Sequence, residues 1–330
     1  MELKGQAHWY LTTKITQLAS FDIILDQTRY CKSIIKKYLD SVGCKNVTRK
    51  HTIPLPTEFV ATSEDCSKSE EIAAELVEEY KFDYASCIGS MIYLSQTRTN
   101  IIYAVNKLAR YMRKPGKIHF DALVHLLRYL RDNNNFGVRF FSNYSTSPLY
   151  QHLKSNELTF NQLLVCMSDS SWKDDVDTGR STGCFLIFYM GGLVDHSSNM
   201  PEPIALCSAE AEYNQACMAK MALMHISMAM NNLELVDEDT QRYRVPLILD
   251  SSSTNAIGSS FKDTKHTRHI MRRYHFARSM LEKGFIFLLW ITTKGQLADV
   301  GTKVLGTETN SVLLPICMSR INIEGSAQEG

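Results

Sequence analysis

The order of apolar runs between residues 163 and 304 constrains the fold of this chain more than any other feature of its sequence. Leu163-Leu-Val-Cys-Met167 reads as a buried strand and Gly183 to Met190 as a second, bounded by Gly191-Gly192. Pro203-Ile-Ala-Leu-Cys207 reads as a short third. From Ser208 to about Asn231 the chain is apolar almost all round at helical spacing, through Ala216, Cys217, Ala219, Leu223 and Ile226. A helix of that kind belongs in the middle of a domain. Leu247-Ile-Leu249 is a fourth strand, and Ile270, Tyr274, Ala277 and Leu281 form a helical stripe. Phe285 to Ile291 is a fifth strand, and Gln296 to Val304 a short last helix. Three strands, helix, strand, helix, strand, helix is the order of an α/β domain. A leading antiparallel meander and a crossover to a parallel fourth strand give a mixed five-stranded sheet with helices.

Four acids punctuate that order. Asp169 and Asp250 close strands, Glu212 lies in the first turn of the central helix, and Asp299 opens the last helix. Singly, each has a structural explanation, as a turn former or as an acid favoured by the helix dipole. Gathered at one edge of a sheet they would repel one another unless a cation neutralised them, and hard oxygen ligands suit Mg²⁺. Glu210 and Glu212 are two apart and share no helix face, so only one of them can join such a cluster. Between Lys262 and Arg278 the bases include Lys262, Lys265, Arg268, Arg272 and Arg273, against the single acid Asp263. That strip is either a phosphate grip or a solvated basic face.

The N-terminal half is organised differently. Residues 7 to 25 hold two short strands with a turn near Ser20, and Asp26 is placed to cap a helix carrying Tyr30, Ile34, Ile35 and Tyr38. Residues 43 to 70, broken by Pro54 and Pro56, read as loop. Helices are expected from Tyr84 to Leu94, from an Asn100 cap towards Pro115, and from Phe120 to Arg131, before Asn133-Asn134-Asn135. Phe136 to Phe141 is a strand candidate, and Ser142 to Lys154 reads as a linker, placing a domain boundary near residue 150. The net charge of +1 gives no global argument for nucleic acid. Nine cysteines without a framework spacing read as reduced thiols inside a cell. No apolar run approaches a membrane span, so no membrane partner is expected.

Two sets of motifs carry a family resemblance. Tyr84-Ala-Ser-Cys-Ile-Gly-Ser-Met-Ile-Tyr-Leu-Ser-Gln-Thr-Arg98, Leu108-Ala-Arg-Tyr-Met112 and Leu127-Arg-Tyr-Leu130 resemble the segment after the polymerase palm in copia-type retrotransposon polyproteins. Ser168-Asp169 with Trp172, Arg180-Ser-Thr-Gly183, Ser208 to Tyr213, Asp250, Thr264-Lys-His-Thr-Arg-His-Ile270, and Gln296-Leu-Ala-Asp299 with Thr302-Lys303 resemble, in order, the ribonuclease H domain that follows. The A-E-Y-N-Q-A match selects Glu212 over Glu210.

The resemblance implies a C-terminal remnant of a reverse transcriptase over residues 1–150, made of post-palm strands and thumb or connection helices. It implies a ribonuclease H-like α/β domain over 151–310 and an unstructured tail over 311–330. The polymerase motif Y-x-D-D is absent, so no DNA synthesis is expected. The implied activity is hydrolysis of the RNA strand of RNA–DNA hybrids. Asp169, Glu212, Asp250 and Asp299 would be catalytic and hold two Mg²⁺ ions, with Mn²⁺ as a substitute. Lys262, Lys265, Arg268, Arg272 and Arg273 would hold nucleic acid, and the upstream polymerase portion is an implied partner. The implied location is intracellular, in the cytoplasm within a virus-like particle, or in the nucleus. The chain departs from the family pattern at Ser171, where a second acid is usual, and at Asn199-Met200-Pro201, where a basic run is usual. Those departures suit the alternative, a catalytically inactive remnant that at most binds nucleic acid.

Overall fold

A computed structural model describes residues 8–40, 50–160, 162–201, 204–233, 245–250 and 285–321. The chain divides into two compact units, Met1–Ser142 with Val304–Gly330, and Asn143–Lys303.

In chain order the first unit contributes β1 (Trp9–Tyr10), β2 (Thr13–Gln17), β3 (Ile23–Asp26) and α1 (Thr28–Ile34), which continues as a π-helical stretch, Ile35–Leu39. Then come α2 (Glu70–Tyr80), α3 (Tyr84–Leu94), α4 (Ile102–Ala109), α5 (Lys117–Asp132) and β4 (Phe136–Phe140). The second unit adds α6 (Pro148–Ser155), β5 (Leu164–Ser171), β6 (Thr182–Tyr189), β7 (Gly192–Asn199), α7 (Ser208–Asn232), β8 (Val245–Asp250) and β9 (Ile286–Ile291). The chain then returns to the first unit through α8 (Thr307–Cys317) and β10 (Ser319–Arg320).

The first unit is an antiparallel sheet in the order β1-β2-β3-β4-β10, with a helical core beside it. The core gathers Ile88, Met91 and Leu94 of α3 and Leu123, Leu127 and Leu130 of α5 into one cluster, as the 3.6-residue spacing of both stripes allows. One helix was not anticipated, and two sequence expectations need correction here. Glu70–Tyr80 is a helix, capped by the Ser69 side chain accepting from Ile72 N, although its polar composition hid it. Asn100 is no helix cap: it is buried, accepts from Arg98 Nε at 3.1 Å and donates to Tyr129 Oη at 2.6 Å. The expected tail from residue 311 is ordered as far as residue 321, because α8 buries Leu313, Leu314 and Cys317 and β10 pairs with β4.

The second unit is a mixed sheet in the order β7-β6-β5-β8-β9. Strands β5, β6 and β7 form the antiparallel meander, and β8 and β9 run parallel to β5. This is the sheet the resemblance implied, with one strand exchanged. The third strand is Gly192–Asn199, and the described residues 204–207 form none. Met190 and Gly191 both have positive φ, 49° and 76°, which makes the tight turn that pairs β6 with β7. The linker expected over 142–154 is also overturned. Ser147 caps α6, Pro148 occupies its first turn, and Leu149 and Leu153 are buried.

Helix α7 covers the face of the sheet that carries Leu164, Cys166, Leu247 and Leu249. Its burial is uneven: Glu210 to Cys217 are buried, whereas Met228 is 57% exposed. The expectation of a helix enclosed along its whole length holds only for its first half. Among the described residues, no helix is long and apolar enough to cross a membrane.

Candidate functional site

Strand pleating decides which acids can meet. Leu164 and Cys166 of β5 point towards α7, so alternation sends Asp169 to the opposite face with Val165 and Met167. Strands β5 and β8 pair Cys166 with Leu247 and Met167 with Ile248. Continuing that register sets Asp250 level with Asp169 on the same face.

Asp299 reaches that face by another route. It lies in a 3₁₀ turn, Leu297–Gly301, whose five residues are all buried. Gln296 anchors the turn. Its Nε2 donates to Ser168 O at 3.0 Å, and its Oε1 accepts from Ala298 N at 3.2 Å. One buried amide thus ties the strand residue before Asp169 to the start of the turn that holds Asp299. The two residues after the turn bind one carboxylate each. Thr302 Oγ1 donates to Asp169 Oδ2 at 2.7 Å, and Lys303 Nζ lies 2.8 Å from Asp299 Oδ2.

The electrostatics follow from this crowding. Burial, then the neighbouring charge of Asp169, push the Asp299 carboxyl up to about 7, against the pull of Lys303. Its Oδ1 is buried and accepts from no N–H or hydroxyl donor among the described residues, while the Asp169 carboxylate lies within hydrogen-bonding reach of Asp299. An orphaned oxygen beside a second carboxylate is a donor set that suits a hard divalent cation.

The other expected site residues are placed less closely. Glu212 is buried on α7, on the side of the sheet opposite Asp169. Gln215, one turn further on, lies where a side chain at Gly183 would stand, and Gly183 pairs with Ser170. The helix that carries Glu212 thus reaches the Asp169 end of β5 through Gln215. Among the described residues, no three His, Cys, Asp or Glu side chains are grouped closely enough to hold a metal ion. The structure joins Asp169 to Asp299, aligns Asp250 with them by register, and does not bring all four acids together. Lys262, Lys265, Arg268, Arg272 and Arg273, and the helical stripe from Ile270 to Leu281, lie outside the described residues.

Sequence reasoning assigned no role to Gln296, Thr302 or Lys303. The signal for Lys303 was its position four residues after Asp299.

No family profile matches the chain. It is 25% identical over 303 residues to the retrovirus-related Pol polyprotein from transposon TNT 1-94 of Nicotiana tabacum, a match covering 91% of this chain and 21% of that protein. It is 28% identical over 225 residues to the corresponding polyprotein from transposon RE1 of Arabidopsis thaliana, covering 68% and 14%. The chain therefore spans about a fifth or less of the length of these curated relatives. Among solved structures, LC11-RNase H1 in complex with an RNA/DNA hybrid matches 43% of this chain and 93% of its own, at 15% identity and a TM-score of 0.31. The mixed five-stranded α/β sheet is the fold class expected from the sequence. Its homologues are retrovirus-related Pol polyproteins from plant transposons, as the motif resemblance to a retrotransposon polyprotein fragment implied.

Proposed function

We propose that this chain acts as a retroelement ribonuclease H, hydrolysing the RNA strand of RNA–DNA hybrids with bound Mg²⁺, which Mn²⁺ can replace. The observation that carries the reading is the pair of carboxylates at one end of the mixed sheet, with Asp299 Oδ1 buried and without an N–H or hydroxyl donor among the described residues. Asp169 and Asp299 would hold the cation first, and Asp250 and Glu212 would complete the ligand set. When bound, the ions supply an activated water and neutralise charge on the departing 3′ oxygen.

The chain's own residues do the positioning. Thr302 fixes the Asp169 carboxylate, and Gln296 keeps the Asp299 turn against β5. Lys262, Lys265, Arg268, Arg272 and Arg273 would grip phosphates, and the RNA strand would be distinguished by its 2′-hydroxyls. The first unit fits the post-palm end of a reverse transcriptase, and the polymerase portion upstream of it would be its partner. The cytoplasm, within a virus-like particle, or the nucleus is the matching location.

The test is cleavage of a labelled RNA–DNA hybrid with and without Mg²⁺, comparing the chain with Asp169→Asn. Cutting that requires metal and is lost in the variant is the expected result. The ungrouped acids favour a second reading, a folded remnant that binds nucleic acid without cutting it. A chain that unfolds cooperatively and retains hybrid without cleaving it would establish that reading instead.

A further inference from the structure

The turn after Asp299 ends in two consecutive residues that serve different carboxylates. Thr302, wholly buried, donates to Asp169. The Lys303 side chain is 44% exposed and reaches inwards to the Asp299 side chain, which is 8% exposed. The backbone keeps both in place, because the N–H groups of Thr302 and Lys303 donate to Asp299 O at 3.2 and 3.3 Å.

We propose that Lys303 is a positioning residue, a resident counter-ion that holds Asp299 beside Asp169 in the metal-free protein and yields when a divalent cation takes the same carboxylate. The proposal rests on the metal-site reading above. Two neighbouring carboxylates in a dry site repel, and one ammonium offsets much of that cost. The ammonium occupies Oδ2 and leaves Oδ1 open, so a cation has an oxygen to approach before the lysine moves. Once a divalent ion is present the ammonium is a like charge close by, and each repels the other. Lysine suits that exchange. Its head is a compact, strongly hydrated point charge on a flexible stem, and here it can swing into solvent. Arginine would bind as a planar fork and release the carboxylate less readily.

The experiment uses the full chain with Mn²⁺ as the probe. Affinity is read from the electron paramagnetic resonance signal of free Mn²⁺, and stability from thermal unfolding in excess chelator. Lys303→Met keeps the apolar stem and removes the charge. It should melt a few degrees lower without metal, yet bind Mn²⁺ about tenfold more tightly than the unaltered chain. Lys303→Arg should restore the metal-free melting temperature and bind Mn²⁺ no more tightly than the unaltered chain. A lysine that merely packs would lower the melting temperature without tightening Mn²⁺ binding. That result, or an unchanged affinity in Lys303→Met, overturns the proposal while leaving the metal site intact. If neither the unaltered chain nor Lys303→Met binds Mn²⁺ in a way that Asp169→Asn abolishes, the metal-site reading fails and the counter-ion role goes with it.

Discussion

Asp22 in the first unit and Asp299 in the second are each 5% exposed to solvent, and their carboxyls shift in opposite directions. Asp22 accepts from Ser142 N at 2.8 Å, Ser142 Oγ at 3.0 Å, and Arg139 Nε and Nη2 at 3.0 and 2.5 Å. Burial alone would raise its pKa, but those donors outweigh it and hold the carboxyl below its ordinary value. Asp299 has Lys303 on one oxygen, no N–H or hydroxyl donor on the other among the described residues, and Asp169 as a neighbour, so burial prevails and the carboxyl rises. Two carboxyls of equal solvent exposure are therefore separated by depth and by donors: Asp299 lies deeper and beside another acid, and Asp22 has the donors.

The contrast breaks most sharply at Asp169. Asp169→Asn should reduce metal-dependent hybrid cleavage by about a thousandfold or more, on the order of 4 kcal/mol in barrier. Its thermal unfolding should stay close to that of the unaltered chain. Retained cutting in a timed gel assay would place the chemistry elsewhere.

Asp22→Asn tests the structural side. The folded pKa of Asp22 lies below its ordinary 3.8, so its contribution is complete above that value and is lost as pH falls through the folded pKa. The variant should lose about 2–3 kcal/mol in urea unfolding at pH 7, and the gap should narrow below about pH 4. A gap independent of pH would mean that packing, not charge, holds the site.

Gln296→Leu keeps the volume and removes both hydrogen bonds of the anchor. It should cost about 1–3 kcal/mol, because Ser168 O is left buried without a donor. Cleavage should fall with it as Asp299 loses its register against β5. Stability lost with activity unchanged would confine the anchor to a structural role.

Asp299→Asn should give the smallest effect, with the opposite sign to Asp22→Asn. A folded pKa raised to about 7 means the folded chain holds its proton longer than the unfolded one. Stability therefore falls as pH rises from about 4 to about 7 and levels off above. Without metal at pH 8 the variant should be more stable by on the order of 1 kcal/mol. Destabilisation at that pH would mean that Lys303 compensates the charge in full.

Local pattern alone was enough wherever one element's own residues bury its face. Tyr84–Leu94 is the helix that Ile88, Met91 and Leu94 outline, and the apolar run around Phe185 and Ile187 is strand β6. The pattern failed where the neighbours supply the reason for an element. Strand β7 reads as polar because only its first two residues are buried, and it exists because the Met190–Gly191 turn folds it onto β6. Helix α8 looks like a tail until its apolar residues have a unit to pack against. The acids were visible as residues and as strand ends, and so was the basic spacing after Asp299.

The sequence by itself determined strands β5, β6, β8 and β9, the central helix and the identity of the acids, since periodicity and strand ends are local properties. Tertiary structure alone decided which acids meet. Asp169 and Asp299 are joined through Gln296 and Thr302, while pleating turns Asp169 away from the sheet face that α7, the helix of Glu212, covers. A pairing between residues so far apart in the chain depends on strand register and on which face each side chain takes, and no local pattern encodes either.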